Sequence, residues 1–125
     1  MKRTFAIIAL MAAFADFAHA QICFGEHHTI NEGWAFTLEG HDTRIVDLPH
    51  DWSIEYPASK AFASGTGYRP GGIGTYEKNL FIDNSQAGRK LHLYFEGVYC
   101  CSTVYVNGSK VGYRPNGWLP FIYDI

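Results

Sequence analysis

Three features that would assign a function directly are absent from this sequence. Its 10 lysines and arginines are outnumbered by 12 acidic residues and form no basic stripe, so nucleic acid is not expected as a partner. No apolar run reaches the roughly 20 residues of a membrane-spanning helix. The 6 histidines lack the spacing of metal ligands, and we expect neither a metal nor another cofactor.

Cysteine is also scarce, and an odd number of 3 cysteines cannot all pair within one chain. Cys100 and Cys101 are neighbours, closer at Cα than normal disulfide geometry prefers, so a bond between them would be strained. Cys23 could bridge one of them, although nothing in the N-terminal segment places it there. We therefore expect buried free thiols at 100 and 101, at a corner where small residues fit.

The N-terminal segment has the layout of a secretory signal peptide. Lys2 and Arg3 precede an uncharged apolar run, Phe5–Ala15, and Ala18-His19-Ala20 offers small residues at both positions of a cleavage site. A buried N-terminal helix is the weaker alternative. The sequence predicts a signal peptide at 1–20 and a mature domain at 21–125, exported to the periplasm or the medium and not held in a membrane after cleavage.

The strongest structural pattern lies between residues 91 and 113. The runs 91–96 and 103–106 alternate apolar and polar residues, which is typical of strands buried on one face. Asn107-Gly108 supplies the two positive-φ positions of a tight hairpin turn, and 111–113 forms the return strand. This order predicts antiparallel β structure.

Other short strands are separated by glycine and proline turns, and no helical period exceeds a turn or two outside the signal segment. A Gly-rich loop at 57–74 is long enough to be functional or mobile. The pattern favours an all-β sandwich. The remaining predicted strands are Trp34–Leu38, Ile45–Leu48, Tyr76–Ile82 and one that begins at Leu119.

Four motifs carry a resemblance to a known family. FEGV followed by STVYVNGSKVGY resembles the signature of the N-terminal sugar-binding domain of glycoside hydrolase family 2, the family of β-galactosidases and β-glucuronidases. VDLPHDWSIE, YRPGGIGTYEKNLFI and GWLPFIYDI agree with it in the same order, so the resemblance spans roughly residues 30 to 125. It implies a galactose-binding-like jelly roll. That sandwich would be truncated at its C-terminal end, because the chain stops inside the last predicted strand.

Catalysis by this family needs two glutamates that the resemblance places on a barrel domain further downstream. No residue here matches them, so we expect no catalytic residue and no activity in this chain alone. His50-Asp51-Trp52 is interpreted as structural, with Trp52 packing in the sandwich and Asp51 bonding loop amides. The other carboxylates, as members of polar strand faces or turns, are interpreted as solvated: Asp42, Asp47, Glu55, Glu77, Glu96 and Asp124.

The candidate sugar-binding residues lie in loops. By resemblance, Asn116 stands where the β-galactosidase branch has an aspartate that faces the substrate's hydroxyls, although Asn116 could simply shape a Pro-Asn-Gly turn. Trp118 could stack on a sugar or pack against the sandwich. Tyr68 and Arg69, in the Gly-rich loop, could border the pocket.

The resemblance implies the N-terminal domain of an exported, β-galactosidase-like enzyme, since LPHDW followed by GGIGTYEK is closer to that branch. Its partners would be a carbohydrate substrate, a β-galactoside or related sugar, and the missing barrel of the same polypeptide, in an intact enzyme that could be a homo-oligomer. Two alternatives remain open: a free-standing carbohydrate-binding module and a structural or adhesive sandwich without a ligand.

Overall fold

The computed structural model describes residues 25–125; the predicted signal peptide and Cys23 lie outside the described residues. The described part contains three short 3₁₀ helices, at Trp52–Glu55, Ser64–Thr66 and Asn84–Gln86, and no helix in it is long and apolar enough to cross a bilayer. The predicted all-β class is confirmed. The strands are β1 Trp34–Leu38, β2 Arg44–Val46, β3 Gly74–Glu77, β4 His92–Phe95, β5 Ser102–Val106, β6 Ser109–Arg114 and β7 Phe121–Asp124.

The chain divides into two compact units, the first ending at Lys78 and the second spanning Asn79–Ile125. The first unit holds an antiparallel three-stranded sheet in the order β2-β1-β3. Its core lies on one face of β1, where Phe36 and Leu38 are 2% and 9% exposed. This alternation confirms the predicted strand. Gly74 on β3 is required here, because a Cβ at that position would lie 2.8 Å from the Phe36 ring.

β3 is shorter than predicted. The alternation of apolar residues suggested a strand as far as Ile82, but β3 ends at Glu77. The pair Ala35↔Glu77 is the last in the ladder, because β1 begins only one residue earlier in the chain. Beyond it, the segment has no strand to pair with in the described sheet, and Phe81 is 94% exposed. Side-chain alternation alone does not make a strand without a partner for its amide groups.

The second unit contains two antiparallel pairs, β4 with β7 and β5 with β6. Asn107 and Gly108, at φ 49° and 78°, form the turn between β5 and β6, which confirms the predicted hairpin. Opposite Phe95 on β4, Phe121 is 8% exposed and stacks at a ring-centroid distance of 4.8 Å. From residue 25 onward the buried hydrophobic side chains are Phe36, Leu38 and Phe121, and many other large apolar side chains are exposed.

Candidate functional site

The loop between β6 and β7 carries two of the predicted sugar-binding residues. Asn116 accepts a hydrogen bond at Oδ1 from the backbone N–H of Trp118, 2.8 Å away. This is a local side-chain turn of the kind that asparagine favours. The Asn116 carboxamide thus shapes the loop through its oxygen, while its NH₂ group supplies two donors suited to a hydroxyl acceptor.

Trp118 is 81% exposed and meets the ring of Tyr99 edge to face, with centroids 5.5 Å apart. Tyr99 is itself 69% exposed and comes from the loop between β4 and β5. Gly117 allows the two loops to approach, because a Cβ there would lie 2.7 Å from the Tyr99 ring and 2.9 Å from its Cα. We call Tyr99, Asn116 and Trp118 the aromatic loop site. Tyr99 was not predicted from the sequence, where its only signal is its place two residues after the FEGV glycine.

Cys100 and Cys101 follow Tyr99 directly, and the prediction that they are buried is wrong. Both are free and exposed. Cys101 has a φ of 59°, in the left-handed region, so the chain turns sharply at the surface instead of entering a strand. β5 begins only at Ser102. The apolar character of the thiols suggested burial, but the turn between β4 and β5 keeps them outside.

Tyr68 and Arg69 lie in the first unit, and their local roles differ. Arg69 donates hydrogen bonds from Nη1 to the carbonyl oxygens of Ile54 and Tyr56, so it fastens the Gly-rich loop to the 3₁₀ helix Trp52–Glu55. Tyr68 has a φ of 60° and is 46% exposed. The structure thus gives Arg69 a supporting role, and a contact of either residue with a sugar stays a prediction.

A polar cluster that was not predicted from the sequence lies beside β1. Arg44 Nη2 donates to both carboxylate oxygens of Glu55, at 2.6 and 2.5 Å, and His50 Nε2 lies 3.2 Å from Glu55 Oε1. His50 Nδ1 lies 2.8 Å from the Tyr76 hydroxyl. The sequence drew attention to the adjacent pair at 50–51, yet the acidic partner of His50 comes five residues later in the chain.

The 3₁₀ helix explains that pairing. Asp51 caps it, accepting hydrogen bonds at Oδ1 from the Ser53 backbone N–H at 2.9 Å and the Ser53 hydroxyl at 2.7 Å. This confirms the interpretation that Asp51 bonds loop amides. The turn then brings Glu55 back towards His50. Trp52 packs beside Gly72, where a Cβ would lie 3.3 Å from the indole, which confirms a packing role for this ring.

The cluster borders a cavity of about 280 Å³. Hydrogen bonding from Arg44 holds the pKa of Glu55 below its ordinary value of 4.5. A general acid for glycoside cleavage needs a raised pKa, so Glu55 is unsuited to protonate a leaving group at neutral pH. Within residues 25–125, no group of three or more His, Cys, Asp and Glu is arranged to hold a metal ion. The cavity is lined by Phe36, Leu38, His41, Asp42, Arg44, Trp52, Glu55 and Tyr56.

We expect the Glu55 carboxylate to stabilise the fold above pH 4.5 and to lose that contribution as the pH falls through its depressed pKa. The Glu55→Gln variant should therefore melt at a lower temperature than the parent chain at neutral pH, and the difference should vanish in acid. Thermal melts across this range measure it. Asp42→Asn, which removes a carboxylate of the same cavity outside the cluster, is the control. A difference in melting temperature between Glu55→Gln and the parent chain that does not change with pH would contradict a stabilising role of the Glu55 carboxylate.

Residues 22–125 match the family described as glycosyl hydrolases family 2, sugar binding domain. The β-galactosidase BoGH2A of Bacteroides ovatus is 39% identical over 113 residues, which cover 80% of this chain and 13% of that enzyme. A β-glucuronidase of Bacteroides fragilis is 37% identical over 99 residues, covering 77% of this chain and 14% of the relative.

A solved structure is similar to this chain in its fold as well as in its sequence. The crystal structure of a β-glycosidase from Bacteroides vulgatus superposes with a TM-score of 0.71 at 34% identity, over 80% of this chain and 15% of the other. This likeness confirms the predicted sandwich-type fold, whereas the jelly-roll strand order stays a prediction. The chain thus spans between 13% and 15% of the length of these three proteins.

Proposed function

This chain belongs to the sugar-binding domain family of the family 2 glycosyl hydrolases, and from that membership we propose that it is the N-terminal domain of an exported β-galactosidase-like enzyme. The family match over residues 22–125 carries the proposal. The domain braces a catalytic barrel of the same polypeptide and contributes one loop to the sugar pocket. Hydrolysis of the glycosidic bond, with retention, belongs to the barrel.

Support for the β-galactosidase branch comes from LPHDW and GGIGTYEK in the sequence and from the Bacteroides ovatus relative. The β-glucuronidase of Bacteroides fragilis makes a glucuronide the competing substrate. Comparing a nitrophenyl galactoside with a nitrophenyl glucuronide, as substrates of the intact polypeptide, decides between them.

The proposal of export depends on the signal-peptide pattern at the N-terminus. N-terminal sequencing of the exported product should therefore find Gln21 as the first residue. An intact Met1 on protein that stays in the cytoplasm would exclude export.

The contribution to the sugar pocket is assigned to the aromatic loop site. Trp118 and Tyr99 present apolar ring surface to solvent, and Asn116 adds two amide donors beside them. Sugar sites combine such apolar surface with a few placed polar groups. A single loop cannot bury a hydrated sugar, so the remaining walls of the pocket come from the barrel.

The isolated 125-residue chain should show no turnover of a nitrophenyl galactoside above a buffer blank, because the family's catalytic glutamates are not in it. It should also bind free galactose at millimolar concentrations or more weakly, since binding must offset the entropy of association with few contacts. Turnover assays and isothermal calorimetry measure both. Micromolar binding by this chain alone would contradict the proposal and favour the free-standing carbohydrate-binding module, to which the exposed Tyr99–Trp118 pair is also suited.

In the intact enzyme, we expect Asn116→Ala to lower kcat/KM about tenfold, which corresponds to about 1.4 kcal/mol and is within the range of one substrate hydrogen bond. Asn116→Asp keeps an acceptor for the Trp118 N–H, and its second carboxylate oxygen accepts from a substrate hydroxyl in place of the amide donors, so it should retain most of the activity. Asn79→Ala, outside the loop, is the matched control. If kcat/KM in steady-state assays is unchanged in Asn116→Ala, Asn116 does not bind the substrate and the domain acts only as a scaffold for the barrel.

A further inference from the structure

Two thiols face each other on the surface of the second unit. The Sγ atoms of Cys100 and Cys101 lie 3.6 Å apart, and both residues are free and exposed. Successive side chains in extended backbone point to opposite sides. Here the left-handed φ of 59° at Cys101 turns the chain and places both thiols on the same side.

The pair is exposed to solvent, and its sulfurs make two polar contacts. Cys100 donates a hydrogen bond to the sulfur of Cys101, and this contact raises the pKa of the Cys100 thiol. Cys101 also contacts the hydroxyl of Tyr113 on β6, which raises the pKa of Tyr113. The proposed glycosidase function does not use these thiols. Their exposure and their short separation allow a reaction that is independent of that function.

We propose that Cys100 and Cys101 form a reversible dithiol–disulfide site that reacts with small-molecule disulfides. One thiolate attacks a sulfur of the small disulfide and releases one thiol, which leaves a mixed disulfide on the protein. The second cysteine then attacks its neighbour's sulfur and releases the second small thiol. In balance, one small disulfide is reduced to two thiols and the two cysteines are oxidised to one bond.

Covalent geometry makes this bond reversible rather than structural. Consecutive Cα atoms are about 3.8 Å apart, which is below the roughly 4.4 Å lower limit of ordinary disulfides. Strained and exposed disulfides are the labile ones, which thiol reductants open readily. The site therefore responds to the ratio of small thiols to small disulfides around the protein.

The same pair is joined to the aromatic loop site through Tyr99. Bond formation brings the two sulfurs from 3.6 Å to the roughly 2.05 Å of a disulfide, which requires the backbone next to Tyr99 to adjust. Tyr99 packs against Gly117 without spare room and meets Trp118 edge to face. Oxidation should therefore change the position of the Trp118 indole. A consequence for sugar binding rests on the proposed function, whereas the thiol chemistry does not.

The test uses the full 125-residue chain carrying Cys23→Ser, treated with oxidised glutathione and analysed by thiol titration and peptide mapping. We expect both thiols to disappear together, with a Cys100–Cys101 bond and no bound glutathione, and to return with excess reduced glutathione. In the matched variants Cys100→Ser and Cys101→Ser, the remaining thiol should instead keep glutathione. Two stable mixed disulfides, or two unreacted thiols, in the Cys23→Ser chain would overturn the proposal.

The link to the loop is tested on the same samples by the indole N–H resonance of Trp118 in a ¹⁵N-correlated spectrum, assigned with Trp118→Phe. It should shift on oxidation and return on reduction, and it should not move in a chain that carries both Cys100→Ser and Cys101→Ser and is treated in the same way. A disulfide that forms while this resonance stays fixed would overturn the link to the aromatic loop site. Neither readout depends on turnover or on sugar binding, so a failure here is distinct from a failure of the glycosidase assignment.

Discussion

Replacing Phe36 by alanine should abolish the cooperative unfolding transition of the first unit or strongly lower its midpoint temperature. The Phe36 ring is 2% exposed and packs against the rings of His50 and Tyr76 at centroid distances of 4.8 and 4.7 Å. The Arg44 guanidinium lies over it, 5.4 Å from the ring centroid. Truncating a buried phenylalanine costs about 3–5 kcal/mol, and a small domain has few other buried side chains to compensate.

Phe81→Ala is the matched control, because it removes the same atoms from a ring that is 94% exposed. Calorimetric or circular-dichroism melts should show an almost unchanged transition for Phe81→Ala and none, or a strongly lowered one, for Phe36→Ala. Equal effects of the two substitutions would show that burial on β1 does not hold the unit together.

Gly112→Ala should strongly destabilise the second unit. A Cβ at this position on β6 would lie 2.0 Å from the Tyr123 ring, far inside van der Waals contact, so the ring or the strand must move. Overpacking of this kind typically costs about 1–3 kcal/mol. The obstacle to the new Cβ is one side chain, so removing that side chain should reduce the destabilisation. Gly112→Ala should therefore lower the free energy of unfolding less in a Tyr123→Ala background than in the parent chain.

Chemical denaturation of the four chains in this cycle gives the coupling free energy. Gly65→Ala is the control, since a Cβ at that residue meets nothing within 4 Å and its φ is not positive. If Gly112→Ala costs the same with and without the Tyr123 ring, the close approach of β6 to this tyrosine is not what requires the glycine.

The fold class was readable because its signals are local. Alternation at Trp34, Phe36 and Leu38 predicted β1, and Asn107-Gly108 predicted the hairpin turn, since both depend on residues adjacent in the chain. The end of β3 was not readable, because it depends on where a partner strand begins. Alternation of apolar and polar residues predicts which face of a strand a residue would occupy. It does not predict whether a neighbouring strand is present to pair with.

The candidate site was predicted only in part, because a sequence pattern reports on residues that are close together in the chain. The family resemblance of a contiguous motif indicated Asn116 and Trp118 as sugar-binding candidates, which stays a prediction, whereas Tyr99 was missed because it belongs to a different loop. The pairing of His50 with Glu55 was also missed, since it requires the 3₁₀ turn capped by Asp51. The thiols at 100 and 101 were placed in the interior because cysteine is usually buried, a tendency that a local backbone turn can override.

The sequence by itself determined the all-β class, the hairpin and the family, because these follow from short-range alternation, turn residues and motifs in order. Only the tertiary structure decided which loops meet. Gly117 lets Tyr99 reach Trp118, and the backbone at Cys101 sets both thiols side by side in solvent. Such contacts depend on distances between segments that are separate in the chain and on single φ angles, and neither quantity is encoded in residue type alone.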